Sequence, residues 1–229
     1  MFKNEGICGM DKQMMESMRE IIENLRKMDY IKPGEVPNID LYMDQVTTFM
    51  DKHLESSKRF SEDKLLTKTM INNYTKNDLL PSPDKKKYTK DHLYLLIFIF
   101  YLKSILSITD IRSIIKPLTE KFFDGKGEIG LEQIYEEIFN QETKQAKQIA
   151  KEIAKRFTET QDSFADVKDE EQREFLRNFS FICTLGFDVY MKRQMLEAII
   201  DASLFGTASV EKEQNEKDKG KKEKKEKKE

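Results

Sequence analysis

Leu66-Thr67-Lys68-Thr69-Met70-Ile71-Asn72-Asn73-Tyr74-Thr75-Lys76 separates into two faces when wound as a helix. Met70, Ile71 and Tyr74 share one side by their i, i+1 and i+4 relation, and Lys68, Thr69, Asn72, Asn73 and Lys76 fall on the other. The polar side carries no carboxylate, whereas a merely solvated helix face usually mixes both signs. An acid-free row of amide, hydroxyl and ammonium groups suits a nucleic acid. Asn offers a paired donor and acceptor to an adenine edge, Lys and Thr reach phosphate or guanine, and Asp or Glu would repel the backbone.

Working outward, Pro81-Ser82-Pro83-Asp84-Lys85-Lys86-Lys87-Tyr88 leaves that helix as an extended, lysine-rich ribbon, read here as a small two-stranded wing. Lys85, Lys86, Lys87 and Lys90 join Lys68 and Lys76 in a local patch, opposed within 66–90 only by Asp78 and Asp84. If about four of these lysines met phosphates, the logarithm of affinity would fall by about 3.6 per decade of salt. A lysine-rich loop is nonetheless most often just solvated, and an apolar stripe at Met70, Ile71 and Tyr74 is what any packed helix shows.

The remaining chain reads as helix after helix. Met14, Met18, Ile21, Leu25 and Met28 form a stripe before Lys32-Pro33-Gly34 and Pro37 interrupt it. Asp40 is a candidate cap for a helix with Tyr42, Val46, Phe49, Met50 and Leu54 on its apolar face. Thr89 or Asp91 opens the next helix, and Ser107 with Asp110 forms a capping box for another that ends near Pro117. The run Leu93 to Leu102 is apolar around its circumference and too short for a bilayer, which needs about 20 residues, so it belongs inside a core. Beyond Gly125, Gly127 and Gly130, Leu131, Ile134, Ile138, Ile149, Ile153 and Phe157 recur at helical spacing. A last helix over 169–204 carries Phe175, Phe179, Ile182, Leu196, Ile199 and Ile200. The segment 211–229 is almost wholly Lys and Glu and is expected to be disordered.

Composition narrows the classes. Hydrophobic residues make up 38% of 229, enough for a core, and charged residues 36%, but the formal net charge is only -2. No whole-protein field attracts nucleic acid, so local lysine clustering must supply it. Two cysteines, Cys8 and Cys183, give no disulfide framework and suit a reducing compartment. The N-terminus carries no apolar signal segment, so a cytoplasmic location without membrane attachment is expected. His53 and His92 share no ligand spacing with the cysteines. Asp124-Gly125-Lys126-Gly127-Glu128-Ile129-Gly130 puts Phe122, Lys126 and Gln133 where a calcium loop needs oxygen ligands and its bidentate Glu. The acidic pairs Glu136-Glu137 and Glu170-Glu171 read as exposed charge. No cofactor, metal or enzymatic activity is expected.

Asn72-Asn73-Tyr74-Thr75-Lys76-Asn77-Asp78-Leu79-Leu80-Pro81 resembles the MerR-family run Arg-Tyr-Tyr-Glu, two variable residues, Leu-Leu or Leu-Ile and Pro. Lys87-Tyr88-Thr89-Lys90-Asp91-His92-Leu93 is similar to that family's passage from wing into third helix, and Leu106 to Ile115 to the start of its fourth. The run 66–74 also resembles an uncharacterised bacterial family known only as a domain of unknown function, with a likeness covering about 39–200. Asn72 stands where the MerR pattern often has a DNA-contacting Arg, Asn73 replaces a Tyr, and Asp78 replaces the turn Gly, a position Asp tolerates. The polar stretch 55–64 lengthens the link between the first two helices.

The resemblance implies an all-α fold: a MerR-like winged helix-turn-helix with a small two-stranded wing, extended by C-terminal helices. Four parts are expected: a helical arm (1–36), a DNA-binding helix-turn-helix region (37–120), a C-terminal helical region for dimerisation or for an effector or protein partner (121–206), and a Lys/Glu tail (207–229). The function it implies is a transcriptional regulator, a homodimer on double-stranded DNA with half-sites about one helical turn apart. Thr67, Lys68, Thr69, Asn72, Asn73, Lys76, Lys85, Lys86, Lys87 and Lys90 are the expected contacts. The alternative is a helical protein-interaction module that does not bind DNA and exposes an apolar patch such as the Met14 to Met28 stripe.

Overall fold

Thr67 opens the decisive helix: its hydroxyl oxygen accepts from the Met70 backbone N–H at 3.2 Å, satisfying one of the donors a helix start leaves unpaired. The helix, α2, spans Lys68–Lys76 and buries Ile71 and Tyr74. It ends in a Schellman motif. Leu79 N–H returns to the Tyr74 carbonyl and Asp78 N–H to that of Thr75, while Asp78 takes the left-handed conformation with φ 56°. Leu79 and Leu80 are buried at once after the turn, which fixes where the ribbon departs.

This computed structural model describes residues 16–23 and 31–202. The fold is all-α, with one small two-stranded sheet among the described residues. After a 3-10 turn at Pro33–Glu35, strand β1 (Leu41–Tyr42) leads into α1 (Met43–His53), and a second 3-10 turn, Glu55–Ser57, precedes α2. Strand β2 (Lys87–Tyr88) then enters α3 (Lys90–Leu102), followed by α4 (Ile108–Phe122), α5 (Leu131–Gln161) and α6 (Glu170–Asp201). The sheet is antiparallel, Leu41 opposite Tyr88 and Tyr42 opposite Lys87. The partner strand of the ribbon therefore lies ahead of α1, and the ribbon's own arms meet only at the Asp84–Lys87 bridge.

The described residues fall into two units. One gathers 38–46, 66–131 and 191–202. Its centre is α3, in which Leu93, Tyr94, Leu95, Leu96, Ile97 and Ile99 have no exposed surface, as an apolar helix requires. Helix α4 packs on α3, held at its start by the Ser107–Asp110 capping box and burying Ile111 and Ile115. The other gathers 16–23, 31–37, 47–65 and 132–190. Its core brings Met18 and Ile22 against Ala150, Phe157 and Phe181, with Phe157 and Phe181 edge to face at 5.2 Å. The Tyr135 hydroxyl donates to the Ile31 carbonyl.

Several sequence expectations change here. Helix α4 does not stop near Pro117 but runs on to Phe122, and the chain turns only where Asp124 and Gly125 adopt positive φ. Proline removes one donor, yet the buried face at Ile111 and Ile115 holds the helix together. Tyr42 is not part of the α1 face but of β1, about half exposed, and Asp40 does not cap α1; instead Gln45 Oε1 receives the Tyr42 N–H at 2.9 Å. On the helical segment 16–23 the buried pair is Met18 and Ile22, while Ile21 is exposed; Met14, Leu25 and Met28 lie outside the described residues, as does the tail 207–229. Ile138, Ile149, Phe175, Phe179 and Ile182 are exposed, because α5 and α6 turn other faces, Tyr135, Ala150, Phe157 and Phe181, to their core. Among the described residues no helix is long and apolar enough to cross a membrane.

Replacing Ser107 by Ala should destabilise the protein by about 1 kcal/mol, since the cap on α4 is lost without any core contact being touched. Urea titration of the two proteins measures the difference.

Candidate nucleic-acid interface

Side chains on α2 divide as the sequence predicts. Ile71 and Tyr74 face the core, and burial raises the Tyr74 phenol above its ordinary pKa. Lys68, Thr69, Asn72, Asn73 and Lys76 are exposed. Thr67 is half-buried, and its oxygen already serves the helix start, leaving its hydroxyl hydrogen as the group it can offer a ligand. Asn73 and Asn77 are neighbours on the same edge, the Asn77 amide donating to the Asn73 carbonyl at 2.7 Å.

The polar face of α2 is free of acid within the helix, but α1 brings one beside it. Asp44 forms an ion pair with Lys68, both side chains being well exposed. Such a pair in water is worth little, so phosphate can displace the carboxylate, though the local positive field is lower than the sequence alone implies.

The ribbon carries its charge on an unusual backbone. Lys85 and Lys86 have φ of 46° and 66°, and Lys87 N–H closes the turn on the Asp84 carbonyl at 2.8 Å. Two central residues with positive φ define the type I′ hairpin turn, normally built from Asn-Gly. Lysine gains nothing from that conformation, which costs on the order of 1–2 kcal/mol per residue relative to a right-handed one. The turn projects Lys85 and Lys86 at the tip, both exposed. Lys87 is steadied by Tyr42, its ammonium 5.7 Å from the ring centroid, and Lys90 lies 6.0 Å from that of Tyr94.

At the foot of the ribbon sits His92, which spacing arguments leave as an ordinary helix residue. It is buried, with 2% of its surface exposed. Its Nδ1 accepts from the Thr89 N–H at 3.0 Å, so the neutral ring carries its proton on Nε2, and there no hydrogen-bond partner is in place. Tyr88 and Phe123 meet the ring edge to face at 5.4 Å and 4.9 Å. Desolvation drives the imidazole pKa below its ordinary value; the carbonyls of Pro81 and Ser82 and the carboxylates of Asp40 and Asp124 oppose this without reversing it. His92 thus joins the two ends of the ribbon to α3. Its only sequence signal was Thr89 three residues earlier, a capping-box spacing without the usual Glu or Gln.

The structure places every sequence-predicted contact in one unit, on α2 or along the ribbon and its exit into α3. Residues 31–138 match a family described as Domain of unknown function (DUF1836). The matched span includes β1 through α4 and the start of α5; it begins earlier and ends much earlier than the 39–200 expected, leaving α6 outside. No curated protein matches the chain, and no solved structure does.

His92 also sets a pH dependence. A histidine held neutral in the fold and free to protonate when unfolded makes the unfolded state bind more protons below pH 6.5. Its stabilising contribution is fully present well above that pH and is lost progressively as pH falls from there through the lowered folded value. Urea midpoints measured from pH 7.5 down to 5 should fall for the native protein. In H92Q, which keeps an acceptor for Thr89 but cannot titrate, the decline should be shallower. Equal slopes would show that the burial of His92 does not govern acid stability.

Proposed function

We propose that this protein binds double-stranded DNA through α2 and the Pro81–Tyr88 ribbon and acts as a transcriptional regulator of the MerR-like helix-turn-helix type. The observation that carries this reading is the exposure, within one unit, of an acid-free helix face and a lysine-tipped hairpin that leave the core as consecutive elements. Helix α2 is nine residues long, the size of a reading helix, and offers Asn72 and Asn73 toward base edges with Thr69 and Lys76 toward phosphate. Lys85 and Lys86 meet the backbone beside it. The presence of strained lysines at a turn where Gly or Asn would fold better supports a role for their charge rather than for the turn.

The order of elements, β1, helix, helix, ribbon, helix, helix, agrees with the MerR resemblance seen in the sequence, and the positive φ of Asp78 fills the place of that pattern's turn glycine. The longer link after α1 is no loose insertion. Asp63 Oδ2 accepts from the Arg59 and Phe60 N–H groups, and Lys58 pairs with Asp51 at 2.9 Å. In the rival reading, a protein-interaction module presenting the Met14 to Met28 stripe, Ile21 would be the contact, since it is exposed while Met18 lies in a core.

Two variants separate charge from folding. K85N/K86G supplies the residues a type I′ turn prefers, so the protein should become more stable by about 1 kcal/mol. The same change should weaken DNA binding and reduce the salt slope of log affinity by about 1.8, two phosphate contacts at roughly 0.9 each. Fluorescence anisotropy with a labelled genomic duplex library, run at several salt concentrations, reads both the affinity and the slope. An unchanged slope in the stabilised variant would remove the ribbon from the interface. N72A should weaken binding to a selected site far more than to random duplex, by about 1–3 kcal/mol.

A further inference from the structure

The starts of α1 and α2 meet at a charged pair. Asp44 lies in the first turn of α1, Lys68 is the first residue of α2, and the two side chains are ion-paired although 76% and 58% of their surfaces are exposed. The corner that carries Asp44 is firmly set. Leu41 and Val46 are buried on either side of it, and within it Gln45 Oε1 accepts the Tyr42 N–H. The Tyr42 ring in turn stands beside the Lys87 ammonium of the ribbon. The corner therefore touches both parts of the proposed DNA interface, the reading helix at Lys68 and the ribbon at Lys87.

An exposed ion pair adds little to stability, and this one opposes binding to the DNA backbone. The carboxylate cancels Lys68 on a helix face that holds no acid of its own. About one phosphate contact is lost, roughly fivefold in affinity for random duplex at about 0.15 M salt. Such a carboxylate contributes to recognition only where a base edge, and not a phosphate, meets it. In helix-turn-helix docking the N-terminal end of the second helix faces the base edges, which is the end where the pair sits. It presents an acceptor beside a cationic donor. In the major groove a G·C pair offers the complement: guanine N7 and O6 accept side by side, and the cytosine amino group donates at the far end. An A·T pair sets its one donor, adenine N6, between two acceptors, so a carboxylate there meets lone pairs on both flanks. Asn72 and Asn73 suit adenine, and the ion pair supplies the pattern they lack.

We propose that Asp44 and Lys68 read one G·C base pair as a unit, Lys68 donating to guanine O6 and N7 and Asp44 accepting from the cytosine amino group. Asp44 is then a specificity-determining residue contributed by the first helix. It lowers affinity for DNA at large and restores it at one base pair. This assignment rests on the DNA-binding reading of α2.

Duplexes selected by the native protein from a randomised pool, then changed one base pair at a time and followed by fluorescence anisotropy, test it. For the native protein, replacing one particular G·C pair by A·T should cost about tenfold or more. D44A should lose less than about threefold at the same pair, bind random duplex about fivefold more tightly, and show a salt slope steeper by about 0.9. D44E, which keeps the carboxylate, should keep the preference. K68M should lose the preference while binding random duplex nearly as the native protein does, because Lys68 is already neutralised. The gain in D44A is distinct from misfolding, which lowers binding to every duplex. A D44A protein that discriminates at every pair as the native one does, or gains nothing on random duplex, overturns the proposal and leaves the DNA contact of α2 standing. A native protein that binds no duplex even at low salt overturns both.

Discussion

A helix with no side to give to water constrains everything near it. Six residues of α3 have no exposed surface, so the elements beside it must each turn an apolar side inward. β2 supplies Tyr88 and α4 supplies Ile111 and Ile115, and in the same unit the Schellman turn after α2 buries Leu79 and Leu80. The polar side of α2 is then displayed by default. Its amide and ammonium groups stand outward because Ile71 and Tyr74 are pulled in, and the ribbon begins where Leu80 is buried.

The elements most legible in the sequence were those whose signals are local. Thr89 and Ser107 announce their helices by short-range hydrogen bonds at fixed spacing, and the two faces of α2 follow from the helical period alone. Asp78 could be read as a left-handed residue from its chemistry. The pairing of β1 with β2 could not be foreseen, since a two-residue strand has no period to detect and its partner lies more than forty residues away. The turn at Lys85 and Lys86 was hidden for the opposite reason: its residues contradict its backbone.

Apolar spacing misled where more than one face was apolar. On α6, Phe175, Phe179 and Ile182 keep helical spacing as well as any core stripe, but Phe181 and Leu185 occupy the inward side. Period identifies a helix and not which side of it is covered. The candidate interface was legible in its composition and incomplete in its electrostatics. Asp44 lies on a different helix from the Lys68 it pairs with, and the His92 imidazole feels the carbonyls of Pro81 and Ser82 and the charges of Asp40 and Asp124, groups the linear chain keeps apart.

The Tyr135 hydroxyl bonded to the Ile31 carbonyl closes a loop of more than a hundred residues, and the core around Phe157 waits for Phe181. The unit holding α2, the ribbon, α3 and α4 takes nearly all its buried residues from 38–46 and 66–131. Of the two units, the one with the polar helix and its ribbon is thus assembled mostly from neighbouring stretches of chain, whereas the other is stitched together across long sequence separations. Loss of a distant segment such as α6 therefore removes part of the second unit's core while leaving nearly all the buried residues of the first in place.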